Sequence, residues 1–474
     1  MTSRRSTLQA GRVRSRKAQD ASRTHLKRPY QPSLFQSNVL EVTVLSEEIA
    51  HSLGLLGICS ELSAVVETAV SDCRDVFLEI EKTAVRNHHK VVAAFVSNRV
   101  SDSDLLGTTG YGYGDSGREK LDAIFAQVFG GEDALVRAQF ASGTHALAIA
   151  LSALLLPGHT LLFVGGPPYE TLRTVIGIDN GNATGNLKSR GVMYDEVPFS
   201  AEGTIDEDKL AAKLVQSPRV CMIQRSRGYS LRPSLSIADL RRLCTIIKQH
   251  SPDSVILIDN CYGEFVESRE PLEVGADVTV GSLIKNPGGG LAPSGGYVVG
   301  KSWIVEETAS RLIAPGIGRE VGPTHGTNRD YLRGFFLAPS VVAEALKGAV
   351  VSARIAEMLG FESIPDYCGT RSDIVQVIRL KSSEQLVSFC KGIQSAGPVN
   401  SAFAPEPGQM PGYEDQVIMA SPSFVQGSSI EVSCDGPIRP PYCAFLQGGM
   451  YWHHTVTNVA AGFQRMIDDR NLRI

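Results

Sequence analysis

Between about residues 36 and 100, apolar positions recur at spacings of three and four, as in SELSAVVETAVSDCRDVFLEIEKTAVRNHHKVVAAFV, with no proline and no run of turn residues. That is the period of helices with one buried face. The middle of the chain changes rhythm. Continuous apolar runs of strand length, LLFV (161–164), RVCMIQ (219–224), SVILID (254–259) and VTVGSLI (278–284), alternate with helix-like segments such as IADLRRLCTIIKQH. Strands apolar at every position are covered on both faces, which predicts crossover units and a mostly parallel sheet. After about residue 330 a long helical pattern, YLRGFFLAPSVVAEALKGAVVSARIAEML, carries Pro339, a predicted kink or boundary. A smaller α+β portion follows, with loops rich in proline and glycine. The expected architecture is α/β: a helical arm over 36–100, a large domain over 101–325 and a small C-terminal α+β domain over 326–474.

Composition adds bounds. At 474 residues, 43% hydrophobic and 20% charged, the chain is ordinary globular material too long for one core. Its longest clean apolar run, Ala146–Leu156, is broken by Ser152 and closed by Pro157-Gly158, too short to span a bilayer. No membrane association is expected from it. The nine cysteines are scattered without a C-x-x-C pair, which argues for free thiols in a reducing compartment. Adjacent His453 and His454 point different ways on any regular element, so no metal site is expected there.

Charge is uneven. Residues 1–33 hold nine Lys/Arg and one acid, leaving 37 basic and 49 acidic residues in the remainder. A basic, serine-rich, acid-poor leader over 1–35 reads as an organelle transit peptide, with the chloroplast as destination and the mitochondrion or a cytoplasmic protein as alternatives. The acidic body offers no basic surface for nucleic acid.

Two motif matches fail on context. GGYVVGKS (295–302) fits a phosphate-loop pattern, but its interior, Tyr297-Val298-Val299, favours a strand. GYGDSG (112–117) fits a dinucleotide fingerprint without the buried strand that must precede it. A different set coheres. Lys285 ends the run VTVGSLI and Asp259 ends SVILID. In open α/β sheets ligands bind beyond such strand ends. A lysine and a carboxylate there suit pyridoxal phosphate, the amine as covalent tether and the acid as partner of the ring nitrogen. They equally suit a structural ion pair, and spacing alone leaves both open. Ser142 opens the helix of FASGTHALAIALSALLL, where a phosphate would find unpaired N–H groups and Gly143 would let it approach; Ser142 is otherwise a plain N-cap. Ser282, three residues before Lys285, adds a hydroxyl. Tyr169, after LLFV, is placed to stack on a planar ring or to pack at the head of the next helix.

Long strings then carry a resemblance: TTGYGYGDSGREKL, DALVRAQFASGTHAL, GGPPYETL, IQRSRGYSLRPSL, DNCYGEFVE, GADVTVGSLIKNPGGGLAPSGG, APGIGREVG, MPGYEDQVIMA and DGPIRPPY. Over about residues 95–450 the chain resembles the methionine gamma-lyase-like, or aluminium-resistance, family of pyridoxal-phosphate proteins. The resemblance implies a fold-type I PLP-dependent transferase-like architecture and a carbon–sulfur lyase acting on a sulfur amino acid. An aminotransferase, a γ-replacement enzyme or a non-catalytic cofactor-binding stress protein are the alternatives. By the same resemblance Lys285 is the Schiff-base lysine and a catalytic base, Asp259 the pyridinium partner and Tyr169 the stacking ring and a proton donor. Ser142, Gly143 and Thr144 form the phosphate cradle, and Ser282 stands in a Ser-x-x-Lys pattern shared with the wider class. Tyr111 or Tyr113 with Arg118 would reach the phosphate of a neighbouring subunit in a homodimer or homotetramer. Ile284 replaces a threonine common in the wider class, and QRSRGY departs from it, leaving Gln224, Arg225 and Arg227 without assigned contacts. For the substrate carboxylate Arg439 is the first choice, with Arg371 and Arg227 next. Cys261 reads as a small buried residue with a reactive role left open. The glycines 288–290 are expected to let chains meet at a subunit contact.

Overall fold

The structure, a computed structural model, describes residues 48–49, 51–179, 184–200, 203–410 and 413–474. The basic leader and the first part of the helical arm lie outside the described residues.

Among these residues, seven strands form one sheet: β1 (Asp133–Arg137), β2 (Thr160–Val164), β3 (Met193–Val197), β4 (Val220–Gln224), β5 (Val255–Asp259), β6 (Val278–Ser282) and β7 (Gly296–Gly300). Their order is β1-β7-β6-β5-β4-β2-β3. β3, β2, β4, β5 and β6 run parallel, while β7 is antiparallel to both neighbours. The phosphate-loop look-alike is thus strand β7. The continuous apolar runs acquire their reason here. In β5, Val255 and Leu257 enter one core with Leu161, Phe163 and Met222, while Ile256 and Ile258 enter another with Leu162, Val164 and Ile223. Period-2 alternation therefore places hydrophobic side chains on both faces.

Helices cover the two faces. α1 (Ser60–Asp72) and α2 (Arg74–Ser97) belong to the N-terminal arm, and α3 (Ser116–Phe129) precedes β1. α4 (Gly143–Leu154), α5 (Glu170–Ile176), α6 (Glu207–Leu214), α7 (Ile237–His250) and α8 (Ser302–Leu312) follow in order. A capping box fixes the start of α7: Ser236 Oγ accepts the Asp239 N–H at 3.1 Å and Asp239 Oδ2 accepts the Ser236 N–H at 3.0 Å. The second fingerprint look-alike ends in the N-cap of α3, where Asp115 accepts from the Arg118 N–H, Thr324 and Asn328.

α9 (Asn328–Met358) runs 31 residues straight through Pro339, which lies inside the helix instead of at a boundary. This is the helix among the described residues long and apolar enough to cross a membrane, with a mean hydropathy of 1.5; 72% of that stretch is buried in the fold. Leu332, Phe335, Val342 and Leu346 pack with α2 and α3 side chains, whereas Val350, Val351 and Ile355 pack with α1 and a second sheet. That sheet, order β10-β11-β12-β9-β8, is antiparallel: β8 (Glu362–Ile364), β9 (Val375–Arg379), β10 (Val417–Ala420), β11 (Ser433–Pro437) and β12 (Cys443–Gln447). α10 (Ser383–Ser395) and α11 (Trp452–Asp468) cover it. α1 belongs to the core of the second sheet, while α2 reaches both cores, Phe77 toward Trp452 and Val91 and Ala94 toward α3.

The glycine run after Lys285 meets this helix. A Cβ on Gly334 of α9 would stand 2.1 Å from the Gly288 carbonyl oxygen, and one on Gly289 would stand 2.4 Å from the Gly334 carbonyl oxygen. Backbone lies directly on backbone, which only glycine on both sides permits. That contact within the chain accounts for Gly288 and Gly289.

Candidate active site

The C-terminal ends of β4, β5 and β6 and the N-terminus of α4 surround an inner cavity of about 260 Å³. It is lined by Ser142, Gly143, Thr144, Tyr169, Asp259, Ser282 and Lys285, and the small sheet closes it with Val375, Asp435 and Gln447. It adjoins a wider outer cavity of about 670 Å³ through Tyr169, Gln224 and Tyr229, which line both. The larger space lacks the lysine–carboxylate pair, so the chemistry belongs to the smaller one.

The cradle is built from α4. Ser142 caps it by accepting the His145 N–H at 3.1 Å, and a Cβ on Gly143 would come within 3.2 Å of Ser282 Cβ and 3.5 Å of the Cys261 sulfur. Ser282 Oγ is buried with no hydrogen-bond partner. A buried orphan hydroxyl beside a helix N-terminus fits an anionic oxygen that would complete both. Pyridoxal phosphate therefore fits this site: Ser142, Gly143, Thr144 and Ser282 would hold its phosphate, Asp259 its ring nitrogen and Lys285 its aldehyde carbon. The Tyr169 hydroxyl lies 3.0 Å from Thr144 Oγ1 and its N–H donates to Gln224 Oε1 at 3.2 Å, so the ring is fixed at both ends.

Electrostatics set the resting state. Burial disfavours charge on Lys285, but the acidic groups packed around it, the Asp259 carboxyl among them, outweigh it and hold the ammonium above the usual lysine range. Burial alone does not neutralise this amine, contrary to the simplest expectation for a buried lysine. Its Nζ sits 3.9 Å from the centre of the Tyr262 ring, a cation–π contact absent from the sequence reading. Burial pushes the Asp259 carboxyl up despite the opposing Lys285 charge and the Cys261 N–H it accepts at 3.1 Å. Burial likewise raises the Cys261 thiol well above its ordinary value, and the Asp259 charge adds to this, which leaves the thiol protonated and inert.

Behind the lysine, Glu264 is fully buried. Its Oε1 accepts from Tyr297 at 2.7 Å, its Oε2 has no partner, and burial pushes it up to about 8. A folded pKa above the unfolded one means that the fold favours the neutral acid. This contribution is complete below the unfolded value of 4.5 and disappears as pH rises through about 8. Glu264→Gln keeps an acceptor for Tyr297. The variant should melt close to the parent near about pH 5 and above it at about pH 9. Thermal unfolding across that range checks the sign.

Other expected residues lie elsewhere. Arg118 is buried, and its guanidinium donates to the Gly322 carbonyl at 2.8 Å and the Glu320 carbonyl at 3.2 Å, bonds within its own chain. Tyr111 and Tyr113 are exposed and stacked on each other 5.5 Å apart, away from the cavity of their own chain. Arg439 is half exposed and paired with Asp415 at 2.8 Å on the outer cavity, outside the inner one. Arg371 faces a separate cleft with Asp75 and Glu79. Arg225 is fully buried and donates to Asn260, Gly263 and Glu267, a structural role. Arg227 is buried on the outer cavity, its Nε 3.6 Å from Asp373.

The sequence profile of the methionine gamma-lyase family matches residues 62–467. The chain belongs to the methionine gamma-lyase family. Members of this family are pyridoxal-phosphate enzymes. Among its relatives, the protein YnbB of Bacillus subtilis is 45% identical over 397 residues, 84% of this chain and 94% of that protein. A carbon–sulfur lyase involved in aluminium resistance from Clostridium novyi has a solved structure that superimposes with a TM-score of 0.83 at 40% identity, covering 92% of this chain and all of that one. Cystathionine gamma synthase from Xanthomonas oryzae, at 17% identity and a TM-score of 0.54 over 81% of this chain and 98% of that one, shares the fold-type I architecture. Membership places this chain among carbon–sulfur lyase-like enzymes of the methionine gamma-lyase family.

Proposed function

We propose that the protein is a pyridoxal-phosphate-dependent carbon–sulfur lyase that releases a thiol and a keto acid from a sulfur amino acid. The reading is carried by the convergence of Lys285, Asp259 and Tyr169 with the orphaned Ser282 hydroxyl on one cavity at the N-terminus of α4. The name of the Clostridium novyi relative supports it. When bound, the cofactor supplies a sink for the electron pair left at the substrate α-carbon.

The chain's own groups do the rest. Asp259 would pair with the ring nitrogen, and a cation there weakens its hold on the Lys285 ammonium. Once neutral, Lys285 Nζ takes a proton from substrate carbon. Tyr169, held by Thr144 and Gln224, keeps its position over the cavity. Arg227 is the cation we assign to the α-carboxylate, because it is buried on the outer cavity beside Gln224 and Gly228, whereas Arg439 is exposed. The exposed Tyr111–Tyr113 pair is our candidate for a contact with a second copy's site.

The test is to offer the cofactor-loaded protein methionine, cystathionine and S-alkyl cysteines, and to assay thiol and keto acid together. Equal release of both is expected. Keto acid without thiol, or turnover only with a second nucleophile, would overturn the lyase reading in favour of transamination or replacement.

A further inference from the structure

The small sheet contributes an acid that neither the cofactor site nor the family assignment uses. Asp435, on β11, lines the inner cavity and is only 6% exposed. Its Oδ2 accepts from the Tyr229 hydroxyl at 3.0 Å and from Gln447 Nε2 at 3.4 Å, while Oδ1 is buried without any partner. An uncompensated carboxylate oxygen costs free energy in such a place, so a ligand group or a proton is expected on it. With both donors gathered on Oδ2, Oδ1 is the atom left to carry the proton.

We propose that Asp435 is the acid that protonates the departing sulfur, with Tyr229 as its positioning residue. The inference rests on the lyase reading above. One substrate C–H bond gives its proton to Lys285 and its electron pair to the new carbon–carbon double bond. The C–S bond breaks with both electrons on sulfur, and the Asp435 Oδ1 proton forms the S–H bond. The carboxylate left behind is held by Tyr229 and Gln447, and a solvent proton entering through the outer cavity restores the acid. Burial favours a neutral resting form, against the Lys285 ammonium on the same cavity. Tyr229, Tyr413 and Tyr262 are phenols, and burial pushes the Asp435 carboxyl up to about 7 against the Tyr229 hydrogen bond. Lys285 is the cation across the same cavity.

The experiment uses the cofactor-loaded enzyme and a series of S-alkyl and S-aryl cysteines and homocysteines that differ in thiol acidity. Asp435→Asn should lower kcat on the order of 100-fold for alkyl thiols and by less than about 10-fold for aryl thiols, which depart without a proton. The fall in activity as pH rises through about 7 should vanish in Asp435→Asn. In Tyr229→Phe it should move to higher pH, because a lost hydrogen bond to the carboxylate raises its pKa. Cofactor absorbance and melting temperature establish that both variants are folded and loaded. Equal losses across the series, or an unmoved pH limb, would overturn the role of Asp435 while thiol release by the parent enzyme keeps the lyase reading intact. A parent enzyme that releases no thiol from any compound would overturn both.

Discussion

Lys285→Ala should lose thiol release by roughly 10⁴-fold or more, since the change removes the cofactor's tether and the base together. Visible absorbance of the reconstituted protein should go with it, and the melting temperature of the cofactor-free chain should fall at neutral pH. The ammonium of Lys285 is held above the usual lysine range by its acidic neighbours, so its removal takes away a favourable charge–charge interaction and leaves Asp259 without its cation. Absorbance and thiol assays on one preparation separate the cases. Turnover near the parental level would remove Lys285 from the mechanism.

Gly334→Val should destabilise the protein by about 3 kcal/mol or more and weaken cofactor retention in the same step. Two effects oppose each other. Valine gains helix propensity over glycine, on the order of 0.5 kcal/mol. The new Cβ, however, would sit 2.1 Å from the carbonyl oxygen of Gly288, three residues after Lys285. A backbone carbonyl on a short helical turn cannot rotate away, so the chain must move, and overpacking of this kind outweighs propensity. Because the loop that must yield is the one carrying Lys285, chemical denaturation and cofactor titration should shift together. A stable variant with unchanged cofactor affinity would show that the contact is slack.

The sheet was legible in the chain because its strands are covered on both faces, and LLFV, RVCMIQ and SVILID therefore stand out as unbroken apolar runs. β3 was not, since MYDEV lies at the sheet edge with only Val197 buried. Lys285, Asp259, Ser142 and Ser282 could be placed because strand ends and a helix start are local features. The arginines could not. Arg118, Arg225 and Arg439 are equally polar in the sequence, and their partners lie 202, 38 and 24 residues away. Asp435 and Gln447 were missed for a related reason. They reach the cavity only because the antiparallel sheet docks across its mouth, a relation no local spacing encodes. Tyr262 had a signal within reach: it follows Asp259 by three residues at the strand end that faces the lysine.

α9 also decides how the molecule comes apart. Its N-terminal half is built into the core under the lysine-bearing sheet and its C-terminal half into the core of the other sheet. Loss of either core leaves a bare apolar surface on the same rod, so neither half of the protein is a unit of stability on its own. Cooperativity here is a property of one continuous helix, and a substrate that draws the two sheets together would be felt along its whole length.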